Sequence, residues 1–185
     1  MSGQSTENTT YPGPPSIKSI RRRIKSILEN YTNPWDILAE LIQNSVDAIK
    51  RQKSFSSDKY KPVIAIKINF ESRSVTIFDN GCGFPGDRWN ELLNPDGTDK
   101  DDAVNEVGEK GVGLKFCIFS SDLFELNSLS SAGEFKVTIE GAKDWINDDS
   151  KEYLSPDVTL IKLKDDGAEY RTLVTIGGFS TDLLQ

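Results

Sequence analysis

The chain has 185 residues, a formal net charge of −7 and no histidine. Its length suits one globular domain with short tails, and its composition, 36% hydrophobic and 28% charged, is ordinary for such a domain. The lack of histidine excludes Ser-His-Asp and Cys-His catalysis and leaves general-base chemistry to a carboxylate, while the acidic balance argues against non-specific nucleic-acid binding by this domain.

The N-terminal residues 1–15 are polar and rich in Ser, Thr, Gly and Pro, which predicts a disordered tail. This segment lacks the apolar core of a secretion signal, and no later apolar run is long enough to cross a bilayer. Cys82 and Cys117 have neither metal-ligand spacing nor the pattern of a disulfide framework. A reducing, cytoplasmic location without a membrane partner is therefore expected.

Two helices are predicted after the tail. Residues 16–30 form a basic amphipathic pattern. Its positive cluster, residues 21–23 with Lys25, is interpreted as a solvated helix face, with a contact to phosphate or to a partner as the alternative. A longer helix is predicted over residues 34–53, with Asn33 as its N-cap.

Three polar side chains share one face of this second helix. Glu40, Asn44 and Asp47 are spaced by four and three residues, which brings them into line on a helix of 3.6 residues per turn. Another face is apolar or small and is predicted to pack inward; it consists of Leu38, Leu41, Ile42, Ser45 and Ile49. Taken alone, a polar stripe is as often solvated surface as a binding site, so its meaning depends on the segments downstream.

The rest of the chain alternates between strands and irregular segments. Residues 63–70 and 75–78 are predicted strands of a hairpin that ends at Asp79. Residues 84–107 are polar and irregular, as in a lid, and a helix is predicted over residues 114–120. Later strands are predicted over residues 123–128, 134–140, 158–164 and 172–176. This order predicts an α+β two-layer sandwich with helices on one face of a mixed, mainly antiparallel sheet.

A glycine cluster precedes the third predicted helix. Gly108, Gly111 and Gly113 allow the backbone to turn with positive φ and to approach a ligand closely, and the N–H groups at a helix start suit an anion such as a phosphate. A merely flexible turn is the alternative. Leu114 stands where a Walker A loop requires a lysine, so the cluster is not a Walker A loop.

An acidic residue opens the other glycine cluster. Gly81, Gly83 and Gly86 match the bare dinucleotide-binding spacing, but Pro85 removes a backbone donor where a helix should begin, and no repeating βαβ pattern surrounds them. Asp79 is instead interpreted as the recognition group, because a carboxylate accepts a hydrogen bond from an exocyclic amine such as that of adenine. An ordinary turn after a strand is the alternative.

Three motifs in this order resemble those of the GHKL ATPases, the superfamily of gyrase B, Hsp90, histidine kinases and MutL. They are Glu40-x-x-x-Asn44-x-x-Asp47-Ala48, Asp79-x-Gly81-x-Gly83 and Gly108-x-x-Gly111-x-Gly113. The resemblance covers about residues 34–176. It implies the Bergerat ATP-binding fold in a domain of residues 16–185, a lid at about residues 84–112, and ATP and Mg²⁺ as cofactors.

The resemblance also implies roles for individual residues. Glu40 would be the general base that activates water, Asn44 the ligand of Mg²⁺, and Asp79 the carboxylate that reads adenine, with Gly81 and Gly83 shaping the base pocket. The hinge of the lid that faces the phosphates would comprise Gly108, Gly111, Val112 and Gly113.

Three further assignments follow from the resemblance. Asp47 would contact the nucleotide indirectly, through water or another residue, and Lys110 would neutralise a phosphate. The family also has a threonine on a late strand near adenine. Thr172 fits this position best and Thr159 is the competitor, although both lack the glycine that usually precedes that threonine.

With glutamate at position 40, the chain resembles the hydrolysing branch of the family, which includes Hsp90, MORC and MutL. Histidine kinases typically have Asn or His at this position. The expected function is Mg²⁺-dependent binding and slow hydrolysis of ATP that drives conformational change or dimerisation. The alternatives are an adenine-nucleotide sensor without turnover and a kinase of the histidine-kinase type. The chain is expected to be an N-terminal fragment of a larger protein, with a further domain or a partner supplying a phosphate-contacting lysine.

Overall fold

The computed structural model describes residues 16–33, 35–86, 93, 112–150, 154, 157–161 and 170–178. The helices in this part of the chain are α1 (Ile17–Glu29), α2 (Asp36–Phe55), α3 (Val112–Phe119) and α4 (Ala142–Asn147). The strands are β1 (Ile64–Asn69), β2 (Ser74–Asp79), β3 (Leu123–Ser130), β4 (Gly133–Glu140), β5 (Asp157–Ile161) and β6 (Arg171–Gly177). Among these helices, none has the length and hydropathy needed to cross a bilayer.

The six strands form one sheet in the order β1-β2-β6-β3-β4-β5, and every described pairing is antiparallel. Two hairpins, β1–β2 and β3–β4, are joined by the late strand β6, which lies between β2 and β3. The prediction of an α+β two-layer sandwich is confirmed. The described pairings are antiparallel throughout, where a mixed sheet was expected, because β6 runs opposite to both of its neighbours.

The core lies between one face of the sheet and the helices. Alternate residues of each inner strand point to this face, as the period of two in a strand requires. The sheet contributes Val75, Ile77, Phe124, Leu126, Phe135, Val137, Ile139, Val174 and Ile176. The helices contribute Ile24, Ile37, Leu41, Phe116, Cys117, Ile118, Phe119, Trp145 and Ile146. Cys117 is fully buried in this core, and its thiol donates to the carbonyl of Ile37 at 3.7 Å.

The start of α2 depends on a reciprocal pair of hydrogen bonds. The side chain of Asn33 accepts a hydrogen bond from the backbone N–H of Trp35 at 3.0 Å, and the carboxylate of Asp36 accepts one from the N–H of Asn33 at 3.1 Å. These bonds close the turn that precedes the helix. The N-cap itself is Trp35, which makes no side-chain capping hydrogen bond, so the prediction of Asn33 as the N-cap was wrong. Regular helix begins at Asp36, two residues later than predicted.

The basic cluster of α1 does not behave as one solvated face. Arg21 is only 5% exposed; its guanidinium lies 4.5 Å from the ring centroid of Trp145 and 3.6 Å from the carboxylate of Asp149. The interpretation of the whole cluster as solvated surface was therefore wrong for this residue, although Arg22 and Lys25 are exposed. The contact depends on α4, a helix of six residues that is too short to produce a recognisable apolar period.

Candidate functional site

Helix α2 carries the predicted polar stripe, which consists of Glu40, Asn44 and Asp47. Glu40 and Asp47 are half-buried and Asn44 is exposed. Because a helix rises 1.5 Å per residue, the stretch from Glu40 to Asp47 spans about 10 Å. The inward-facing residues of α2 include Leu41, as predicted, and Ser45, which is 4% exposed. The helix thus separates a line of functional groups from the core.

The carboxylate of Glu40 is held between two elements that precede and follow it in the chain. The hydroxyl of Tyr31 donates a hydrogen bond to Oε1 at 3.0 Å. On the other side the carboxylate lies against the backbone of α3, so closely that a Cβ added to Gly113 would lie 2.5 Å from Cδ of Glu40. A side chain at position 113 would therefore displace this carboxylate.

Asp47 has its partners on its own helix. Its carboxylate accepts hydrogen bonds from the Gln43 amide at 3.1 Å and lies 3.3 Å from the ammonium of Lys50. Both contacts are typical of side chains one helical turn apart. These contacts orient the carboxylate along α2 and do not decide between a direct and an indirect contact with a ligand.

Asp79 ends β2 and is buried beneath α2, with 3% of its surface exposed. Its Oδ2 accepts a hydrogen bond from the hydroxyl of Ser45 at 3.0 Å, and its Oδ1 accepts one from the N–H of Gly81 at 2.9 Å. Burial raises the pKa of Asp79 above the ordinary carboxyl value, and the two hydrogen bonds oppose this shift. A buried carboxylate with remaining acceptor capacity is a specific site for a donor.

The two glycines after Asp79 permit close backbone packing. A Cβ on Gly81 would lie 2.6 Å from the carbonyl carbon of Ala48, and the neighbouring Cys82 N–H donates to the Ala48 carbonyl at 3.2 Å. Gly83 has φ of +74°, and a Cβ there would overlap the backbone of Leu129. The motif therefore brings the end of β2 against α2 on one side and against β3 on the other.

The sheet register favours Thr172 over Thr159 as the threonine near Asp79. Thr172 lies directly opposite Asp79 in the β2–β6 pair, so both side chains project from the same face. Thr159 is exposed on β5 at the far edge of the sheet, opposite Lys136. The register that sets this pair is a long-range property, which the local sequence around either threonine does not reveal.

Two residues that the sequence analysis did not single out complete the surroundings of Asp79. The hydroxyl of Ser128 lies 3.5 Å from that of Thr172 and accepts a hydrogen bond from the N–H of Phe84 at 2.7 Å. The side chain of Asn80 bonds to the Lys61 carbonyl and the Val63 N–H, each at 2.8 Å. Both residues fix the segments around the site. The only sequence signal for Asn80 was its place in the Asp-Asn-Gly turn.

Several predicted site residues lie outside the described residues. These are Gly108, Lys110 and Gly111, together with most of the expected lid and the N-terminal tail. Val112 and Gly113 are described and form the first turn of α3, whose N-terminal end is next to Glu40. The start of a helix carries unpaired N–H groups and a partial positive charge, so this end suits an anion.

Asn44, the expected ligand of Mg²⁺, has an exposed side chain on α2. Within the described ranges, no group of three His, Cys, Asp or Glu side chains is arranged to hold a metal alone. Magnesium usually retains water and takes only one or two protein ligands plus substrate phosphates. The exposed amide of Asn44, one turn after Glu40 and next to Ser45 in the chain, has an oxygen that can supply such a ligand.

Comparison with known proteins agrees with this geometry. Residues 31–167 match the family described as histidine kinase-, DNA gyrase B-, and HSP90-like ATPase. The chaperone protein HtpG of Campylobacter jejuni subsp. doylei is 31% identical, over 74% of this chain and 26% of its own length. The HtpG of Borreliella afzelii is 27% identical, over 76% of this chain and 24% of its own length.

The chain thus spans about a quarter of the length of the curated relatives it matches. The family match includes α2, Asp79, α3 and strands β1 to β5, and it ends before β6, which carries Thr172. The chain therefore belongs to the histidine kinase-, DNA gyrase B- and HSP90-like ATPases.

Proposed function

We propose that this domain binds ATP with Mg²⁺ and hydrolyses it slowly. The observation that carries the proposal is the disposition of α2, which has the partly buried carboxylate of Glu40 near one end and touches the buried carboxylate of Asp79 through Ser45. These two acids, separated by more than a helical turn, can act at opposite ends of one elongated ligand. Asn44 comes one helical turn after Glu40 and directly before Ser45, and its side chain is exposed.

The adenine end of the ligand would be read by Asp79. Its carboxylate already accepts hydrogen bonds from Ser45 and Gly81, and a third donor, the exocyclic amine of adenine, would use the remaining acceptor capacity. Thr172, opposite Asp79 in the sheet, would contact the base or an ordered water beside it. Gly81 and Gly83 would form the wall of the base pocket because their backbone lies close to α2 and β3.

The phosphate end would lie near the start of α3. Val112 and Gly113, with Gly108, Gly111 and the ammonium of Lys110 before them, would supply N–H groups and positive charge. Magnesium, held by Asn44 and the phosphates, would neutralise charge on the phosphoryl oxygens. Asp47 would act through a water. Closure of residues 84–112 over the nucleotide would exclude bulk water.

Glu40 would orient the attacking water and accept its proton. General-base catalysis needs a carboxylate within hydrogen-bonding reach of the water, and positioning and electrostatics supply most of the rate in phosphoryl transfer. The glutamate favours hydrolysis over nucleotide sensing alone. The histidine-kinase alternative is disfavoured because the chain has no histidine of its own to phosphorylate.

The HtpG relatives are named as chaperones, and they are about four times as long as the part that this chain matches. We propose that ATP binding drives conformational change or dimerisation of this protein, with a further domain or partner contributing a phosphate-contacting lysine. A cytoplasmic location is proposed with it. None of these roles requires direct nucleic-acid binding by this acidic domain.

Replacing Asn44 with alanine tests the metal assignment. In the wild-type chain, Mg²⁺ should raise the affinity for a non-hydrolysable ATP analogue, whereas in Asn44→Ala this increase should fall at least about ten-fold. The side chain is exposed, so the melting temperature without nucleotide should not change. Isothermal titration calorimetry with and without Mg²⁺ measures both affinities. Gln52→Ala, the same amide-to-alanine change farther along α2, is the control, and an unchanged Mg²⁺ effect in Asn44→Ala would refute the assignment.

Replacing Gly113 with alanine tests the geometry around Glu40. The added methyl group would overlap the carboxylate, which can move because it ends a flexible side chain. Alanine also favours helix, so the protein should stay folded while turnover falls about ten- to a hundred-fold. Phosphate release measures the turnover, and thermal melting shows whether the variant is folded. The control is Gly177→Ala, whose Cβ would have an ordinary separation of 3.6 Å from Leu123, and equal turnover in both variants would contradict the proposed geometry.

A further inference from the structure

Tyr31 donates a hydrogen bond from its hydroxyl to the carboxylate of Glu40. It lies between α1 and α2, and its hydroxyl is 3.0 Å from Oε1. The contact is partly buried, so water competes with it less than at an exposed site. No motif in the sequence pointed to this tyrosine, because it is nine residues from Glu40 and belongs to a different element.

The position of the Tyr31 hydroxyl is set by α3. The aromatic ring is stacked on that of Phe116, with 3.8 Å between centroids and 4° between planes. Phe116 is itself 7% exposed and belongs to the core. The tyrosine is therefore anchored by a buried partner and not only by the short segment that carries it, and its hydroxyl has little freedom to leave Glu40.

Glu40 needs such an anchor if it is to act on a water. The last torsion of a glutamate side chain is broad, so packing of its methylene groups does not fix the plane of the carboxylate. Here the hydroxyl of Tyr31 fixes Oε1, and the close approach of Gly113 limits movement on the other side. We propose that Tyr31 is a positioning residue that orients the carboxylate of Glu40 for catalysis, a role that rests on the hydrolysis proposed above.

The test is a double-mutant cycle of Tyr31→Phe and Glu40→Gln in the full 185-residue chain. Phenylalanine removes only the hydroxyl and keeps the ring that stacks on Phe116. Turnover in Tyr31→Phe should fall about ten-fold, while the affinity for a non-hydrolysable ATP analogue and the melting temperature stay close to wild type. In the Glu40→Gln background, the same change should have no further effect on turnover, because the group that Tyr31 orients is already inactive.

Thr76→Val is the matched control, since it removes another partly buried hydroxyl contact, 3.1 Å from Thr175, that does not involve Glu40. Unchanged turnover in Tyr31→Phe, with a large loss in Glu40→Gln, would overturn the positioning role and leave the proposed hydrolysis standing. An equal loss from Tyr31→Phe in both backgrounds would show that the tyrosine acts elsewhere and would also overturn it. If Glu40→Gln turns over ATP like the wild type, the general-base role of Glu40 and the positioning role of Tyr31 both fail, and if neither protein turns over ATP, the proposed hydrolysis fails.

Discussion

Glu40→Gln is expected to lower ATP hydrolysis at least about a hundred-fold, the lower end of what a general base contributes. Glutamine has nearly the same shape and can still accept the hydrogen bond from Tyr31, but it cannot take a proton from water. The affinity for the nucleotide should therefore change little. Steady-state phosphate release measures the rate of hydrolysis, and calorimetry with a non-hydrolysable analogue measures the affinity.

The control for this variant is Glu125→Gln, the same substitution at an exposed position of β3 on the far side of the sheet. It should hydrolyse ATP like the wild type. Equal phosphate release above background from the wild type and from Glu40→Gln would remove the general-base role, whereas release at background from both would leave an adenine-nucleotide sensor as the better description. With labelled γ-phosphate, the same reaction also separates hydrolysis from transfer: label in free phosphate supports hydrolysis, and label on a protein supports a kinase.

Features of the site that depend on local periodicity could be predicted from the sequence. The line of Glu40, Asn44 and Asp47 follows from spacings of four and three on one helix, and the place of Asp79 at a strand end follows from the apolar alternation before it. The inward direction of Ser45 was predicted in the same way. The fold class followed from the order of these elements in the chain.

Features that depend on contacts between distant elements could not be predicted in this way. Ser45 was expected to pack inward, but its hydrogen bond to Asp79 joins residues 34 apart in the chain. The contact between Tyr31 and Phe116 requires α1, α2 and α3 to meet, and the choice of Thr172 depends on how β6 pairs with β2. Arg21 was misread for the same reason, because its partner Trp145 lies on a helix too short to predict.

The buried position of Asp79 has a consequence for stability. Burial raises its pKa in the folded chain above the unfolded value, so the folded state binds more protons than the unfolded state between these two pKa values. Stability therefore falls as the pH rises through that window, and at neutral pH the ionised Asp79 costs stability without a ligand. This cost is expected where a buried charge is kept for binding, and a ligand that donates a hydrogen bond to the charge offsets it.

Asp79→Asn is accordingly expected to weaken binding and not folding. The amide can still accept the hydrogen bond from Gly81, and it removes the buried charge, so the melting temperature without nucleotide should be equal to or above that of the wild type. The affinity for ATP should fall about ten- to a hundred-fold, because a hydrogen bond to a charged acceptor contributes about 1.5–3 kcal/mol. Calorimetry and thermal melting of the same preparations measure the two effects.

Inosine triphosphate makes this experiment specific to the base. Inosine presents a carbonyl where adenine presents an amine, so it should bind poorly to the carboxylate of Asp79, whereas the amide of the variant can donate to that carbonyl. The wild type should therefore prefer ATP strongly, and Asp79→Asn should lose or reverse this preference. Because phosphate titration affects both proteins alike, only the wild type should show an additional loss of ATP affinity as the pH falls through the raised pKa of Asp79. The substitution replaces the carboxylate that is proposed to accept the adenine amine. An Asp79→Asn variant that still prefers ATP as strongly as the wild type would therefore place base recognition on other residues.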